Sequence, residues 1–419
     1  MVRRVAGASL IGTALEWYDY FLYGTAAALV FETLFFPGFA PGVGILVAFL
    51  SFAVGFVARP IGAIAFGHLG DRHGRRLALM VTVLVMGLAT GLIGLLPVYE
   101  SVGIAAPIAL SLLRFAQGFS VGGEWSGAVL LALEYAPADK RPFYASIPQL
   151  GSPLGTLVSS GAFIAVTQLP EDALLSWGWR LPFVFAFVLL GVAVYLRVRI
   201  EESPLFKQML EEERAQRVPL FTALRFSPGR MVLCAAGSLL GIGGFFLLTT
   251  FILSYGTETL GLSRSTMLLA TQLGAVAEIA IIMYFGRLAN RWGAWKVSAF
   301  GSAVTLVLAF PIFLLIGTSS AALVIVGVTV GIAALSIPYA PTGAMLAELF
   351  PSEVRYSAVA LSYNIAGIVG GFVPAIAQVF LGFSDNQVWG PALLLALIAA
   401  TNLAGALGIS VVRKRKRYV

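Results

Sequence analysis

Gly67-His68-Leu69-Gly70-Asp71-Arg72-His73-Gly74-Arg75-Arg76 is a short, basic run set between two apolar stretches, approximately Val43 to Phe66 and Leu77 to Leu96. Each flank reaches the roughly 20 residues that a helix needs to cross the hydrocarbon core of a bilayer. The run therefore reads as a tight turn between two membrane spans. The same alternation continues outward in both directions. Upstream lies a span from Val5 to Phe35; downstream come Ala105 to Tyr135, Phe143 to Val166 and Leu181 to Val198. A second series runs from Arg230 to Leu253, Thr266 to Phe285, Val297 to Ile316, Ala321 to Leu349, Ser357 to Leu381 and Pro391 to Val412. Hydrophobic residues make up 59% of the 419 residues and charged residues 11%, about half the charged share of a soluble globular chain.

With no water in the hydrocarbon core, each backbone amide has to be satisfied inside its own segment or in a closed barrel. Barrel strands alternate apolar and polar residues; these runs are apolar on all sides, so they are read as helices. The fold expected is an all-α membrane protein of twelve transmembrane helices. Glu16 and Asp19 sit in the first span, where the apolar core of a cleavable signal does not tolerate them, so that span is expected to be retained.

The basic residues give an orientation. Taking the amino terminus as cytoplasmic, all of the 27 lysines and arginines except Arg59, Arg114, Arg180 and Arg264 fall on the cytoplasmic side. Both termini are thus expected in the cytoplasm of a plasma-membrane protein. This also accounts for the net charge of +7 without nucleic acid, since the excess lies in short inner loops and a tail facing anionic lipid.

The chain divides into an amino-terminal bundle, 1–200, a polar inter-lobe loop, 201–229, a carboxy-terminal bundle, 230–412, and a basic tail, 413–419. The two bundles share marks. Gly67, Asp71, Arg72 and Gly74 follow the second span; Gly286, Asn290, Arg291 and Gly293 follow the eighth in the same spacing. Glu134, Pro137 and Arg141 after the fourth span recur as Glu348, Pro351 and Arg355 after the tenth. Two coincidences at equivalent loops argue for a duplicated six-helix unit, the plan of a transporter whose halves rock about a site at mid-membrane.

The segment Gly67 to Arg76 resembles the signature Gly-x-x-x-Asp-Arg-x-Gly-Arg-Arg of the major facilitator superfamily at every fixed position. The resemblance implies two pseudo-symmetric six-helix bundles and a cytoplasmic gate in which Gly67, Asp71, Arg72 and Arg75, with Glu134, Arg141, Arg291, Glu348 and Arg355, latch the halves together. Asn290 stands where the acid would be, so the second latch is expected to be weaker. Leu15 to Tyr20, Arg59-Pro60-Ile61-Gly62, Gln117 to Glu124 and Trp177 to Phe183 look like the metabolite:proton symporter family, whose carriers take up shikimate, 2-oxoglutarate, citrate, proline or betaine. Tyr23 to Phe31 looks closest to its shikimate-carrier branch. The extended carboxy-terminal coiled coil of the osmosensing branch is missing before Val419, so osmosensing of that kind is not expected.

Charges inside the spans carry the functional reading. An ionisable side chain at the bilayer centre costs about 2.5–3.5 kcal/mol on insertion scales and needs a partner, water or a purpose. Glu16, Asp19, Arg59, Arg114, Glu124 and Glu278 qualify. At about 1.5 Å per residue, Glu124 lies about 15 Å from Glu134, and Arg59 and Glu278 each lie about 12 Å from the glycine of their loop. Glu16 with Tyr20, and Asp19 with Tyr23, are four residues apart and share a helix face, a face expected to border a wet cavity. Asp19 or Glu124 is the expected proton carrier, with Glu16 and Glu278 in reserve. Arg114 or Arg59 is expected to hold an anionic substrate through its planar fork of donors. Tyr20, Tyr23, Gln117, Tyr339, Tyr363 and Asn364 are further candidates for the substrate site. Fixed ion pairs within the first bundle are the plainer alternative.

The expected activity is proton-coupled import of a small metabolite, an organic acid such as shikimate, by a monomer that needs no cofactor beyond the proton. A proton antiporter exporting drugs, and a symporter of a zwitterionic osmolyte, are the alternatives. An enzyme is not expected: no nucleotide loop, metal-ligand pair or nucleophile arrangement is present, and the single cysteine, Cys234, lies inside a span.

Overall fold

The computed structural model describes residues 2–40, 42–73, 75–122, 124–198 and 228–416. Among these there is no strand. The helical passages are α1 (Val2–Ala26), α2 (Val43–His73), α3 (Arg75–Ile93), α4 (Ala105–Val121, resuming as Glu124–Tyr135), α5 (Gly151–Val166) and α6 (Arg180–Val198). They continue with α7 (Pro228–Ala236 and the turns that follow it to Thr259), α8 (Arg264–Trp292), α9 (Ala294–Ile316), α10 (Ala321–Tyr339, resuming as Thr342–Ala347), α11 (Ser352–Phe383) and α12 (Trp389–Lys416). Eight helices among the described residues are long and apolar enough to cross a membrane. Of the other four, α1 has 25 residues but carries Glu16 and Asp19 within it, α3 and α5 are short, and α4 stops at Val121 and restarts at Glu124; α5 is preceded by a separate short helix, Arg141–Ser146, and a 3-10 turn, Pro148–Leu150. The single span expected from Ala105 to Tyr135 is thus two helical pieces, the first ending in a turn at Gly122.

The packing reproduces the duplication. In the first half α1 lies against α5, α2 against α4 and α3 against α6; in the second, α7 lies against α11, α8 against α10 and α9 against α12. Adding six to each helix of one half gives the pairs of the other. The halves meet where α2 crosses α11 and where α5 crosses α8, crossings that exchange under the same operation. Below, the end where α1 begins and α12 finishes is the near end, the other the far end.

The first helix of each half leaves α geometry. A π-helical turn at Ala27–Phe31 follows α1, and α7 contains three, Leu240–Gly244, Leu247–Phe251 and Tyr255–Thr259. Such turns disturb the regular i→i−4 hydrogen bonds, a cost inside a bilayer unless a neighbour satisfies the freed groups. One neighbour is Asn402 on α12: its Oδ1 accepts from the Leu240 N–H at 3.1 Å, and its Nδ2 donates to Ser302 Oγ on α9 at 2.9 Å.

Close backbone approach sets the register of α2 on α4. A β-carbon built on Gly118 would lie 1.7 Å from the Gly55 carbonyl oxygen, and one on Gly62 would lie 1.6 Å from that of Phe119. Only glycine permits these crossings, and they aim Arg59 and Arg114 inward.

Candidate functional site

Two buried ion pairs lie side by side at mid-depth of the first half. In the first, Arg114 Nη1 stands 3.7 Å from Asp19 Oδ2. Gln117 Nε2 donates to Asp19 Oδ1 at 2.6 Å, the Thr90 hydroxyl donates to the same oxygen, and Arg114 Nη1 donates to Gln117 Oε1 at 3.2 Å. Arg114 extends across Gly55, where a β-carbon would press on its Nε at 2.7 Å, and that Nε donates to the Phe52 carbonyl. Around its guanidinium stand the rings of Tyr23, Phe52, Tyr20 and Phe56, with centroids 4.4, 4.9, 5.0 and 5.7 Å from Cζ. Aromatic faces compensate part of the lost hydration of a buried cation.

In the second pair Arg59 Nη2 donates to Glu16 Oε1. Its Cζ lies 5.0 Å from the Tyr20 centroid, so one phenol ring has a guanidinium from each pair beside it. Arg59 lies at the meeting of the halves: its Nη1 comes within 3.7 Å of where a β-carbon on Gly367 of α11 would stand. The Asp19 pair sits one aromatic layer deeper, separated from the second half by Phe52 and Phe56, both of which pack on Phe246 of α7.

The polar groups here are incompletely matched. Glu16 Oε2, Asp19 Oδ2, Arg59 Nε, Arg114 Nη2 and the hydroxyls of Tyr20, Tyr339 and Tyr363 are buried without a hydrogen-bond partner. Glu278, fully buried on α8, has neither oxygen matched. Unsatisfied buried polar groups each cost about 1–3 kcal/mol, and here they converge on one depth from both halves.

The face of α1 expected to be wet is dry in this arrangement. Glu16, Asp19, Tyr20 and Tyr23 are all buried. Between the halves a void of about 10 Å³ is lined by Arg59, Trp125, Tyr363 and Asn364 among others, space for about one water. Tyr363 stacks on Trp125 with centroids 3.5 Å apart, Asn364 Nδ2 donates to the Gly122 carbonyl, and Gln149 bridges the halves by accepting from Trp125 Nε1 at 2.7 Å and donating to the Tyr339 carbonyl at 3.1 Å. Among the described residues, the halves also touch at both ends. At the near end Val129 packs on Gly343, and Asn290 Oδ1 accepts from the Phe143 N–H at 3.0 Å. At the far end Gln168 donates to Ser265 at 3.1 Å and Arg264 pairs with Glu171 at 3.3 Å. That end holds a cleft of about 420 Å³ lined by residues of both halves, Glu32, Glu258 and the Arg264–Glu171 pair among them.

The remaining candidates are placed as follows. Tyr23 is inside the first half, hydrogen-bonded to Ser51 at 2.8 Å. Glu124 opens the second piece of α4, partly exposed and within electrostatic reach of Glu16. Among the gate residues, Glu134, Arg141 and Arg291 are exposed at the near end. Glu348 pairs with Arg413 at 3.1 Å, and Arg355 Nε donates to the Phe350 carbonyl. The amide oxygen of Asn290 accepts the Phe143 N–H at the start of a helix of the other half, a backbone donor that has no partner within its own helix. Gly67 lies within α2; the side chains of Asp71, Arg72 and Arg75 lie outside what the structure describes, as do the inter-lobe loop 201–227 and residues 417–419 of the tail. Thr90, Gln149 and Ser152 are the participants that sequence reasoning missed. Each is a lone small or neutral polar residue in a span, a signal too common to single out.

A family model described as Major Facilitator Superfamily matches residues 9–374. The chain is 40% identical over 383 residues to the inner membrane metabolite transport protein YhjE of Escherichia coli (strain K12), covering 89% of this chain and 87% of that one. It is 39% identical over 386 residues to the shikimate transporter of the same strain, covering 91% and 88%, and 33% identical over 412 residues to its proline/betaine transporter, covering 96% and 82%. Among solved structures, a D-xylose-proton symporter superposes with a TM-score of 0.74 at 18% identity, over 95% of this chain and 96% of that one. At that identity the likeness concerns the fold.

Proposed function

Because this chain belongs to the Major Facilitator Superfamily, and is therefore a multi-pass membrane transporter rather than an enzyme, we propose that it imports a small organic acid, shikimate or a related carboxylate, together with a proton. The observation that carries this reading is the pairing of each buried arginine with one acid while a further nitrogen, Arg59 Nε or Arg114 Nη2, stays unmatched. A substrate carboxylate docking on Arg114 competes with Asp19 for the same guanidinium. Once displaced, Asp19 is a buried carboxylate without a counter-charge, a state costing several kcal/mol, and a proton relieves it. The site then holds the same net charge empty or loaded, and substrate and proton travel together. Arg59 and Glu16 offer the same exchange one layer closer to the second half, with Tyr20, Tyr339 and Tyr363 as hydrogen-bonding partners for substrate hydroxyls. Glu124 is the alternative carrier.

In this reading both termini face the cytoplasm of a bacterial inner membrane, and the near end opens inward as the halves rock. No cofactor takes part, and a monomer suffices. The test is uptake into proteoliposomes of shikimate, other small carboxylates, proline and betaine, each with and without an inward proton gradient. Accumulation of a carboxylate driven by the gradient is expected; accumulation that ignores the gradient overturns the coupling. A second reading, symport of a zwitterion such as proline or betaine, is favoured by Glu278, an uncompensated acid on the half facing the arginines that would suit a cationic group. The same uptake panel separates the two.

A further inference from the structure

The crossing of α5 and α8 is a polar seam running the depth of the molecule. From the far end, Thr167 and Gln168 meet Ser265, Ser160 meets Thr271 at 3.4 Å, and Gln272 Nε2 donates to the Leu157 carbonyl at 3.1 Å. Towards the near end Gly286 packs on Ser146, and Asn290 accepts from Phe143. In the middle Glu278 faces the Ser152 hydroxyl, and neither completes a hydrogen bond of ordinary geometry.

Glu278 differs from Glu16 and Asp19 in having no arginine. The elements packed on α8 are α5, α10, the segment 138–150 and, at either end, parts of α7 and α9. From α10, Tyr339 lies within electrostatic reach of Glu278, with Tyr363 and Glu16 beyond it. Asp139, Lys140, Arg141 and Tyr144 belong to the segment that meets α8 around Gly286, about 12 Å along the helix. Lys296 on α9 follows the near-end turn. Tyr255 and Glu258 of α7 accompany Gly256, which packs on Met267 about 16 Å the other way. On α8 itself, Arg264, Arg287 and Arg291 lie at least two turns distant. No cation among the described residues compensates this carboxylate.

We propose that Glu278 is a second proton-binding site, carried by the other half of the protein, and that its proton is required for the α5–α8 seam to close. As a neutral acid it donates to Ser152 or Tyr339 and fits the dry seam. Ionised, it is a buried charge with no partner, and the seam opens to hydrate it. The proton site on α1 answers to substrate through Arg114; this one answers to the contact between the halves. The inference rests on the part of the reading above in which the halves rock, and on neither its substrate nor its direction.

The test measures the seam without substrate. In a Cys234→Ala background, spin labels at Val158→Cys and Val276→Cys, both on exposed faces of α5 and α8, report the distance across the crossing in the purified, full-length protein. With native Glu278, the ratio of short to long distances is expected to fall at least ~tenfold between pH ~5 and pH ~9. Glu278→Gln is expected to hold the short distance at both pH values, and Glu278→Asp to restore the dependence. A Glu278→Gln protein that keeps the pH dependence, or a parent protein that shows none, overturns the proposal. If uptake proves independent of protons while the seam still follows pH through Glu278, symport fails and this inference stands.

Discussion

Gly24 on α1 and Thr250 on α7 meet across the two halves so closely that a β-carbon on Gly24 would lie 2.7 Å from the Thr250 hydroxyl. The contact lies towards the far end, next to the π-helical turns that distort both helices. A bulky side chain there is a wedge in one conformation and harmless in another. Gly24→Leu is expected to insert and fold, because overpacking costs about 1–3 kcal/mol, while net uptake falls at least ~tenfold as the far end fails to close. Reactivity of a cysteine at Thr257 towards an impermeant reagent should rise in the same variant. Unchanged labelling and uptake would show that this contact does not form during the cycle.

The two buried pairs give a prediction in which coupling and folding separate. Asp19→Asn keeps the hydrogen bonds from Gln117 and Thr90 available but removes the charge that a proton must neutralise. It is expected to retain exchange of internal for external substrate and to lose accumulation against a gradient. Arg114→Gln leaves Asp19 as an uncompensated buried charge and is expected to destabilise by about 3–5 kcal/mol. The double variant should recover much of that loss, which thermal unfolding in detergent measures. If Asp19→Asn accumulates substrate as the parent does, Glu124 or another carboxylate carries the proton.

Asn402 makes a structural prediction away from the site. It satisfies both the Leu240 N–H beside a π-turn and Ser302. Asn402→Leu is expected to cost about 1–2 kcal/mol, read as a lower unfolding temperature, with substrate affinity at the arginines unchanged. A matched fall in affinity would mean that the shape of α7 is tuned through α12.

These contrasts mark what the amino-acid sequence reveals and what it conceals. Twelve spans are legible because the bilayer imposes one length and one polarity on each, and the duplication because its marks fall in short loops at fixed spacing. Asp19, Arg59, Arg114 and Glu278 are conspicuous because a charge in hydrocarbon is costly. Which acid meets which arginine is not legible: α1, α2 and α4 are brought together by contacts such as Gly55 on Gly118, and a glycine in an apolar span has many possible neighbours. The cage of Phe52 and Phe56 is hidden for the opposite reason, since a phenylalanine in a membrane helix is unremarkable until a guanidinium stands over it. Asn290 carries a different lesson. Its place in the loop is legible, but that its amide oxygen meets the Phe143 N–H of the other half is not, since the loop spacing names no partner.

The Arg264–Glu171 pair joins the halves at the far end, but unlike the inner pairs it is open to solvent, with 32% and 67% of the two side chains exposed. Exposed pairs contribute about 0–1 kcal/mol and weaken as salt screens them. Glu171→Gln is therefore expected to change the uptake rate by less than about fivefold, and by less still in high salt. Reversing the pair, with Glu171→Arg and Arg264→Glu together, should return the rate towards that of the parent, whereas either change alone places two like charges face to face. Uptake measured at two ionic strengths distinguishes these cases. A loss as severe as that expected for the inner arginines would mean that Arg264 contacts substrate on its way in, and would turn the charged cleft beside it from a boundary of the closed state into part of the route.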